Sequence, residues 1–465
     1  MRLKLLLNRY ILVARNDIFF DIGAHLRLII AFILIIFISG CATYGTPVNK
    51  PLEATQYPSS RYSYANSVNR YNSGEFMIVV SISGGGTRAA AFSYGVMKAL
   101  NEQLVDKNGE YVTVLEEVDK ISSVSGGSFT AAYYGLYGDK LFTDFEDEFL
   151  YDNVSSSLIW RLMNPRLWLS TSGITQEAVS YYENKLFKGA TFADINQDER
   201  PLIVINASDL GGGVRFSFIQ EYFDLLCSDL SSYPISQAIA ASSAVPIVFN
   251  PVVLENYSGC GDQSILTFTD QKKLNSVTKS TLKGLEGYSD KSRNKYIHLV
   301  DGGITDNLGL LSLYDMMAIR GGRASFFEQI NAEVMPFVVF ISIDASVNSD
   351  TSLGKSTKEP GIVDTLNYMS DIQIHRYNDI TKNLMLSTLN QRSEYAMSDN
   401  TPVSSYFVDI NLTNIKDIEK RYYLNNIPTD LNLENEQVDA LISEGYHQIL
   451  SNPEFNRFLD DAKNR

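Results

Sequence analysis

Three short stretches of this 465-residue sequence hold residue types that could do chemistry together. In the first, "DKISSVSGGSFTAAYYG" (119–135), Ser125 stands between a short strand-like segment and a run of small, helix-compatible residues. A serine at a strand-to-helix turn is forced into a tight elbow, and Gly126 and Gly127 keep side chains out of that elbow. The N–H groups and dipole of the following helix lie near any anion formed at the serine. The second stretch, Gly84-Gly85-Gly86-Thr87-Arg88, offers successive backbone N–H groups ahead of another helix. The lysine of a phosphate-cradling loop is missing there, so an oxyanion hole is the better reading. Arg88 can hold a phosphate group, as a candidate anion-binding residue, or pin the loop through its five donors. In the third, Asp301-Gly302-Gly303, a carboxylate closes an apolar run and is left accessible by the glycines behind it. A nucleophile, a set of oxyanion donors and a base are the parts of an acyl-transfer site.

The elements that must position these residues follow from the apolar runs. Phe76–Ser83, Leu202–Ser208, Tyr296–Gly303 and Phe337–Ala345 read as buried strands, and the Ser125 stretch opens with another. Val112–Lys120 fits a short strand or a helix end equally. Strands alternating with helices imply a largely parallel sheet covered on both faces, with reactive groups at strand carboxyl ends. The last quarter reads as helical: Gly361–Arg392 is the longest candidate, and Val438, Leu441, Ile442 and Ile449 share one face of another. Asp270–Lys295, with seven Lys/Arg against three Asp/Glu, reads as an exposed insertion. It includes Lys272, Lys273, Lys279 and Lys283, which could approach phosphate headgroups.

In order and type these blocks resemble the patatin-like phospholipases. The family's G-G-G-x-R-[GA] block corresponds to Gly84–Ala89 and its nucleophile block to Ser123–Gly127. Its A-S-S-A-x-P block corresponds to Ala241–Pro246, and its D-G-G block to Asp301–Gly303. Ser123 replaces the first glycine of the elbow, which questions the turn geometry but not the role of Ser125. The resemblance implies a three-layer α/β/α patatin-like fold with a largely parallel central sheet and a helical C-terminal region. It implies Ser125 as nucleophile, Asp301 as its base, and Gly85 and Gly86, with Gly84, as oxyanion donors. It further implies a lipid acyl hydrolase of phospholipase A or lysophospholipase type, a serine esterase working through an acyl-enzyme. Its substrates would be membrane lipids or other acyl esters, with no metal and no organic cofactor. Two rivals stand beside it. One is a non-catalytic lipid-binding or scaffold lipoprotein that keeps the fold, against which the intact trio argues. The other is a conventional triad hydrolase, which needs His298, His375 or His447 beside Ser125. His298 lies three residues before Asp301 and should face away from it, and the other two fall in helical segments.

The amino terminus carries a different signal. Arg2, Lys4, Arg9, Arg15 and Arg27 precede an 11-residue apolar run, Leu28–Ile38, too short to span a bilayer comfortably. The run ends in Ile38-Ser39-Gly40-Cys41, which resembles the lipobox of bacterial lipoproteins, with Cys41 as the lipidated residue. Ala42 in place of Asp points, by the same resemblance, to the outer membrane of the bacterial envelope. The expected organisation is a signal peptide over 1–40, a tether over 41–74 and a catalytic domain over 75–350. A mostly helical extension packed on that domain follows over 351–465. A formal charge of −15 makes nucleic acid an unsuitable partner. In an exported chain Cys227 and Cys260 can form a disulfide, with two buried free thiols as the alternative. Trp160 and Trp168 bracket "WRLMNPRLW", which fits a buried cap over the sheet or an interface-seeking lid.

Overall fold

The structure is a computed structural model. It describes residues 45–52, 61–64, 66–67, 75–152, 174–197, 199–246, 249–260, 275–319, 337–347, 354, 357, 359–398 and 404–464. The leader, Cys41, Trp160, Trp168, Lys272 and Lys273 lie outside the described residues.

Among the described residues twelve strands run in chain order as β1 (Lys50–Pro51), β2 (Phe76–Ile82), β3 (Leu104–Lys107), β4 (Glu110–Thr113), β5 (Val118–Val124) and β6 (Leu202–Asp209). They continue as β7 (Val214–Ser217), β8 (Ser228–Asp229), β9 (Val252–Glu255), β10 (Tyr296–Val300), β11 (Phe337–Asp344) and β12 (Ser404–Asn411). The central sheet has the order β12-β11-β2-β5-β6-β10-β9, with β7 paired to β6. From β12 to β6 all pairings are parallel. Every residue of β2, β5, β6 and β11 is buried, as strands covered by helices on both faces must be.

The helices that bear on the site are α1 (Gly86–Glu102), α2 (Gly126–Tyr137), α3 (Ile235–Ser242), α4 (Ser276–Glu286) and α5 (Gly303–Asp306). Further along come α6 (Ile362–Ser398), α7 (Ile418–Asn425), α8 (Asn435–Ser451) and α9 (Pro453–Lys463). Helices α1 and α2 begin at the carboxyl ends of β2 and β5, and α8 packs along α1. Val438, Leu441 and Ile449 are buried on one side of α8, as their helical spacing predicts.

Three features differ from the sequence reading. Strand β10 runs antiparallel to β6: Val300 pairs with Ser208 just beyond the Val124–Asn206 pairing of β5. Strands β5 and β10 therefore approach from opposite directions, and their carboxyl ends meet at Asn206. Second, the helical last quarter contains β12, which pairs along its whole length with β11. Its buried residues alternate at Tyr406, Val408 and Ile410, the pattern of a half-covered edge strand. Third, the basic stretch is not simply exposed. From Ser276 it forms α4, capped by Asn275, and buries Thr278, Leu282 and Leu285 while Lys279 and Lys283 face solvent.

Pieces of the stretch before β2 are packed on the domain. β1 pairs with β8, Asn49 bonds Glu255 through both its amide atoms, and the buried Tyr62 hydroxyl bridges the backbone of Ile203. Beside β8, Cys227 and Cys260 form a disulfide with a Cα–Cα distance of 5.3 Å and a sequence separation of 33. In the chain-entropy account a loop of that size is worth roughly 4 kcal/mol. Reduction, or a Cys227→Ser/Cys260→Ser double variant, should lower the unfolding free energy by about that amount. A denaturant titration checks this, and unchanged stability would count against the bond.

Candidate active site

Ser125 ends β5 and caps α2 with φ 48° and ψ −123°, a conformation few L-residues adopt. The turn is over-determined by its neighbours. The Ser125 N–H donates to Ser242 Oγ at 2.8 Å, and that hydroxyl donates to the Asn206 carbonyl at 2.6 Å. Asn206 is fully buried; its amide nitrogen reaches Ser122 Oγ and the Ser123 carbonyl, and its oxygen accepts from Ser217 Oγ. Ser123, the departure from the expected glycine, is also fully buried within this cluster, so the elbow forms without that glycine. A side chain at Gly126 would put its Cβ 2.0 Å from the Gly86 carbonyl oxygen, so the Ser125 turn and the glycine loop touch backbone to backbone.

Asp301 reaches Ser125 because the carboxyl ends of β5 and β10 meet. The same turn that holds Ser125 holds Asp301: its N–H donates to the Ala244 carbonyl at 3.0 Å, and the Gly302 N–H donates to that of Ser242 at 3.1 Å. The Gly303 N–H donates to Asp301 Oδ1 at 2.7 Å, and the Ser125 side chain lies near enough to the same carboxyl group to lower its pKa. Burial raises the Asp301 pKa to about 6, against the lowering effect of those two groups. Behind this turn, the buried Arg215 lies 3.1 Å from Asp315 and 3.8 Å from Asp306, which seats α5.

The glycine loop is held from three sides. The Gly84 N–H already donates to the Asn307 carbonyl at 3.1 Å, which leaves the N–H groups of Gly85 and Gly86 as the donors without a backbone acceptor among the described residues. Gly86 has φ +60° and faces the Asp430 backbone so closely that a Cβ would lie 2.4 Å from its carbonyl oxygen. That oxygen accepts the Thr87 N–H at 2.8 Å. Arg88 is buried, and its Nε and Nη1 donate to the carbonyls of Ala345 and Ile427 at 3.0 and 2.7 Å. Of its two sequence-level roles these contacts are those of a loop pin, and the anion-binding role finds no exposed guanidinium to serve it. Burial lowers the Arg88 pKa to about 10, with Asp371 and Asp344 acting in the opposite direction.

None of the three described histidines bonds Ser125. His298 is exposed on β10, His375 Nδ1 contacts the Asp371 carbonyl, and His447 Nδ1 contacts that of Ser443.

A family model described as patatin-like phospholipase matches residues 80–314, half of the chain, and takes in every element from the glycine loop to the Asp301 turn. The chain belongs to the patatin-like phospholipase family. No curated protein matches the sequence. Among solved structures, human GIVD cytosolic phospholipase A2 is similar at 11% identity and a TM-score of 0.39, covering 91% of this chain. The chain spans 66% of that protein's length. VipD from Legionella pneumophila is similar at 11% identity and a TM-score of 0.31, over 84% of this chain and 67% of its own.

Several groups that build this patatin-like site escaped the sequence reading. The Ala241–Pro246 block was legible, but not that Ser242 takes the Ser125 N–H on its hydroxyl and the Gly302 N–H on its carbonyl. Asn206 gave one signal, a lone amide within the apolar run "LIVINAS". Asn307, Ile427 and Asp430 act on the glycine loop through backbone carbonyls, which have no signature in residue type.

Proposed function

We propose that the protein is a serine lipid acyl hydrolase of phospholipase A or lysophospholipase type, with Ser125 and Asp301 as a catalytic dyad. The observation that carries this reading is that the Ser242–Ala244 turn pins Ser125 and Asp301 side by side, next to a loop whose Gly85 and Gly86 N–H groups have no backbone acceptor among the described residues. The Ser125 hydroxyl passes its proton to Asp301 as Oγ bonds to the ester carbonyl carbon. The carbonyl oxygen becomes an oxyanion facing the Gly85 and Gly86 N–H groups, with Gly84 adjoining them. Collapse breaks the ester C–O bond, and the departing alkoxide takes the proton from Asp301 as alcohol. Water then attacks the acyl-enzyme, gives its proton to Asp301 and releases the fatty acid, and Ser125 recovers its proton.

Purified protein should be labelled by a fluorophosphonate at Ser125 and lose the label in a Ser125→Ala variant. A folded protein that takes no label would favour the non-catalytic scaffold reading. We extend the reading to location: the chain is anchored in the bacterial envelope by lipid on Cys41. Cys41→Ser should then yield protein of altered mass that no longer partitions with membranes. Unchanged mass and partitioning would remove the anchor without touching the hydrolase.

A further inference from the structure

The end of the sheet that holds Ser125 also carries an exposed apolar patch that neither fold nor chemistry accounts for. Helix α7 leaves the carboxyl end of β12 and leads into Ile427–Asp430, the segment that holds the glycine loop. On it Ile418 is 71%, Tyr422 61% and Tyr423 46% exposed. Ile418 and Tyr422 stand four residues apart, so they share one face of the helix. Two more apolar side chains are exposed beside the reacting groups. Val245 follows Ala244, whose carbonyl holds the Asp301 N–H, and Ile304 lies one turn beyond Asp301; they are 43% and 50% exposed. Ser125 itself is only 8% exposed.

We propose that α7, with Val245 and Ile304, is the surface on which this protein docks to a lipid bilayer. The proposal rests on the hydrolase reading for its substrate, and three observations argue for a lipid surface as the occupant. Helix α7 runs into the segment whose carbonyls hold the glycine loop, so a bilayer seated on it lies at the end of the sheet that carries the recessed Ser125. Its side chains are three aliphatic groups and two tyrosines, whose rings suit the boundary between headgroups and acyl chains. Its charge also differs from that of the whole chain. Lys416, Lys420 and Arg421 stand against Asp417 and Glu419, so the helix is near neutral in a protein of net charge −15, and an anionic surface is not repelled there. Apolar contact then supplies the attraction, and docking should change little with salt.

The test uses the full chain on phosphatidylcholine vesicles and, in parallel, on a soluble p-nitrophenyl butyrate. An Ile418→Ser/Tyr422→Ser/Tyr423→Ser variant should hydrolyse vesicle substrate at least 10-fold more slowly through a raised apparent KM. Its turnover of the soluble ester and its melting temperature should match the parent. Equal vesicle hydrolysis by parent and variant overturns the proposal. So does a concentration-dependent dimer that the variant abolishes while its vesicle hydrolysis is unchanged. A single Tyr422→Trp variant guards against misfolding of the triple one and reports insertion directly, whatever else holds the chain to the vesicle. Its fluorescence should be quenched by brominated phosphatidylcholine beyond the parent's level, and no added quenching overturns the proposal. If the parent hydrolyses neither substrate, the hydrolase reading fails, and the quenching still decides whether the surface docks.

Discussion

Ser125→Ala is expected to reduce ester hydrolysis to the uncatalysed background, while Ser125→Gly does the same and leaves a more stable protein. The loss of activity follows from the proposed chemistry: removing Oγ removes the atom that would carry the acyl group. The stability difference follows from the backbone. At φ 48° and ψ −123° a residue with a Cβ is strained, and the strain persists because the Ser125 N–H is clamped to Ser242 and Gly126 lies against the Gly86 backbone. Alanine keeps the strain and should unfold within about 0.5 kcal/mol of the parent. Glycine relieves it, and even after the greater freedom of its unfolded chain should gain about 1 kcal/mol. Activity assays and thermal melts on the two variants separate the roles. Full activity in Ser125→Ala would end the assignment of this site. Equal stability of the two variants would mean that the turn is held without strain.

The parts of this site differ in how far they can be read from residue type. Ser125, Asp301 and the glycine loop are legible because each follows a strand-like segment and is followed by small residues, and a strand-to-helix turn requires that pattern. The antiparallel course of β10 is not legible: "YIHLV" reads alike in either direction, and only the pairing of Val300 with Ser208 sets it. Strand β12 was lost among helices because its alternation spans only a few residues before α7 and α8 impose a helical period. The most consequential omission is Ile427–Asp430. This segment lies more than a hundred residues beyond Asp301, outside the stretch that the family model matches, yet its carbonyls hold Arg88 and Thr87. Because backbone oxygen makes those contacts, no side chain there announced them. Arg88 shows the same limit from the other side. Its type allowed an anion site or a loop pin, and only its burial among carbonyls separates them.

Asp301→Asn should slow hydrolysis by on the order of 10³–10⁴-fold and, at neutral pH, raise stability. The amide cannot take the Ser125 proton, and positioned general bases contribute roughly 10²–10⁴ on their own. The structure predicts the pH dependence as well. Burial lifts the carboxyl from 3.8 to about 6, so kcat/KM should fall on the acid side with a midpoint near 6. No imidazole should contribute, and His298→Gln, His375→Gln and His447→Gln should keep activity. The sign of the stability effect follows from the same shift. Above about pH 6 Asp301 is ionised in both folded and unfolded states, and the folded state bears the whole cost of dehydrating it. Between 6 and 3.8 the folded state takes up the proton first, and below 3.8 both states are protonated and the cost is gone. At 1.36 kcal/mol per unit the shift corresponds to roughly 3 kcal/mol, an upper figure for a partly exposed carboxyl. Asn keeps the shape, and its oxygen can still accept the Gly303 N–H. The variant's gain should therefore be about 1–3 kcal/mol at pH 8 and shrink towards zero by pH 4. A folded Asp301→Asn that keeps a tenth of parent activity would replace the dyad with another base. An acid limb centred near pH 4 would mean that the carboxyl is hydrated in solution and carries no such cost.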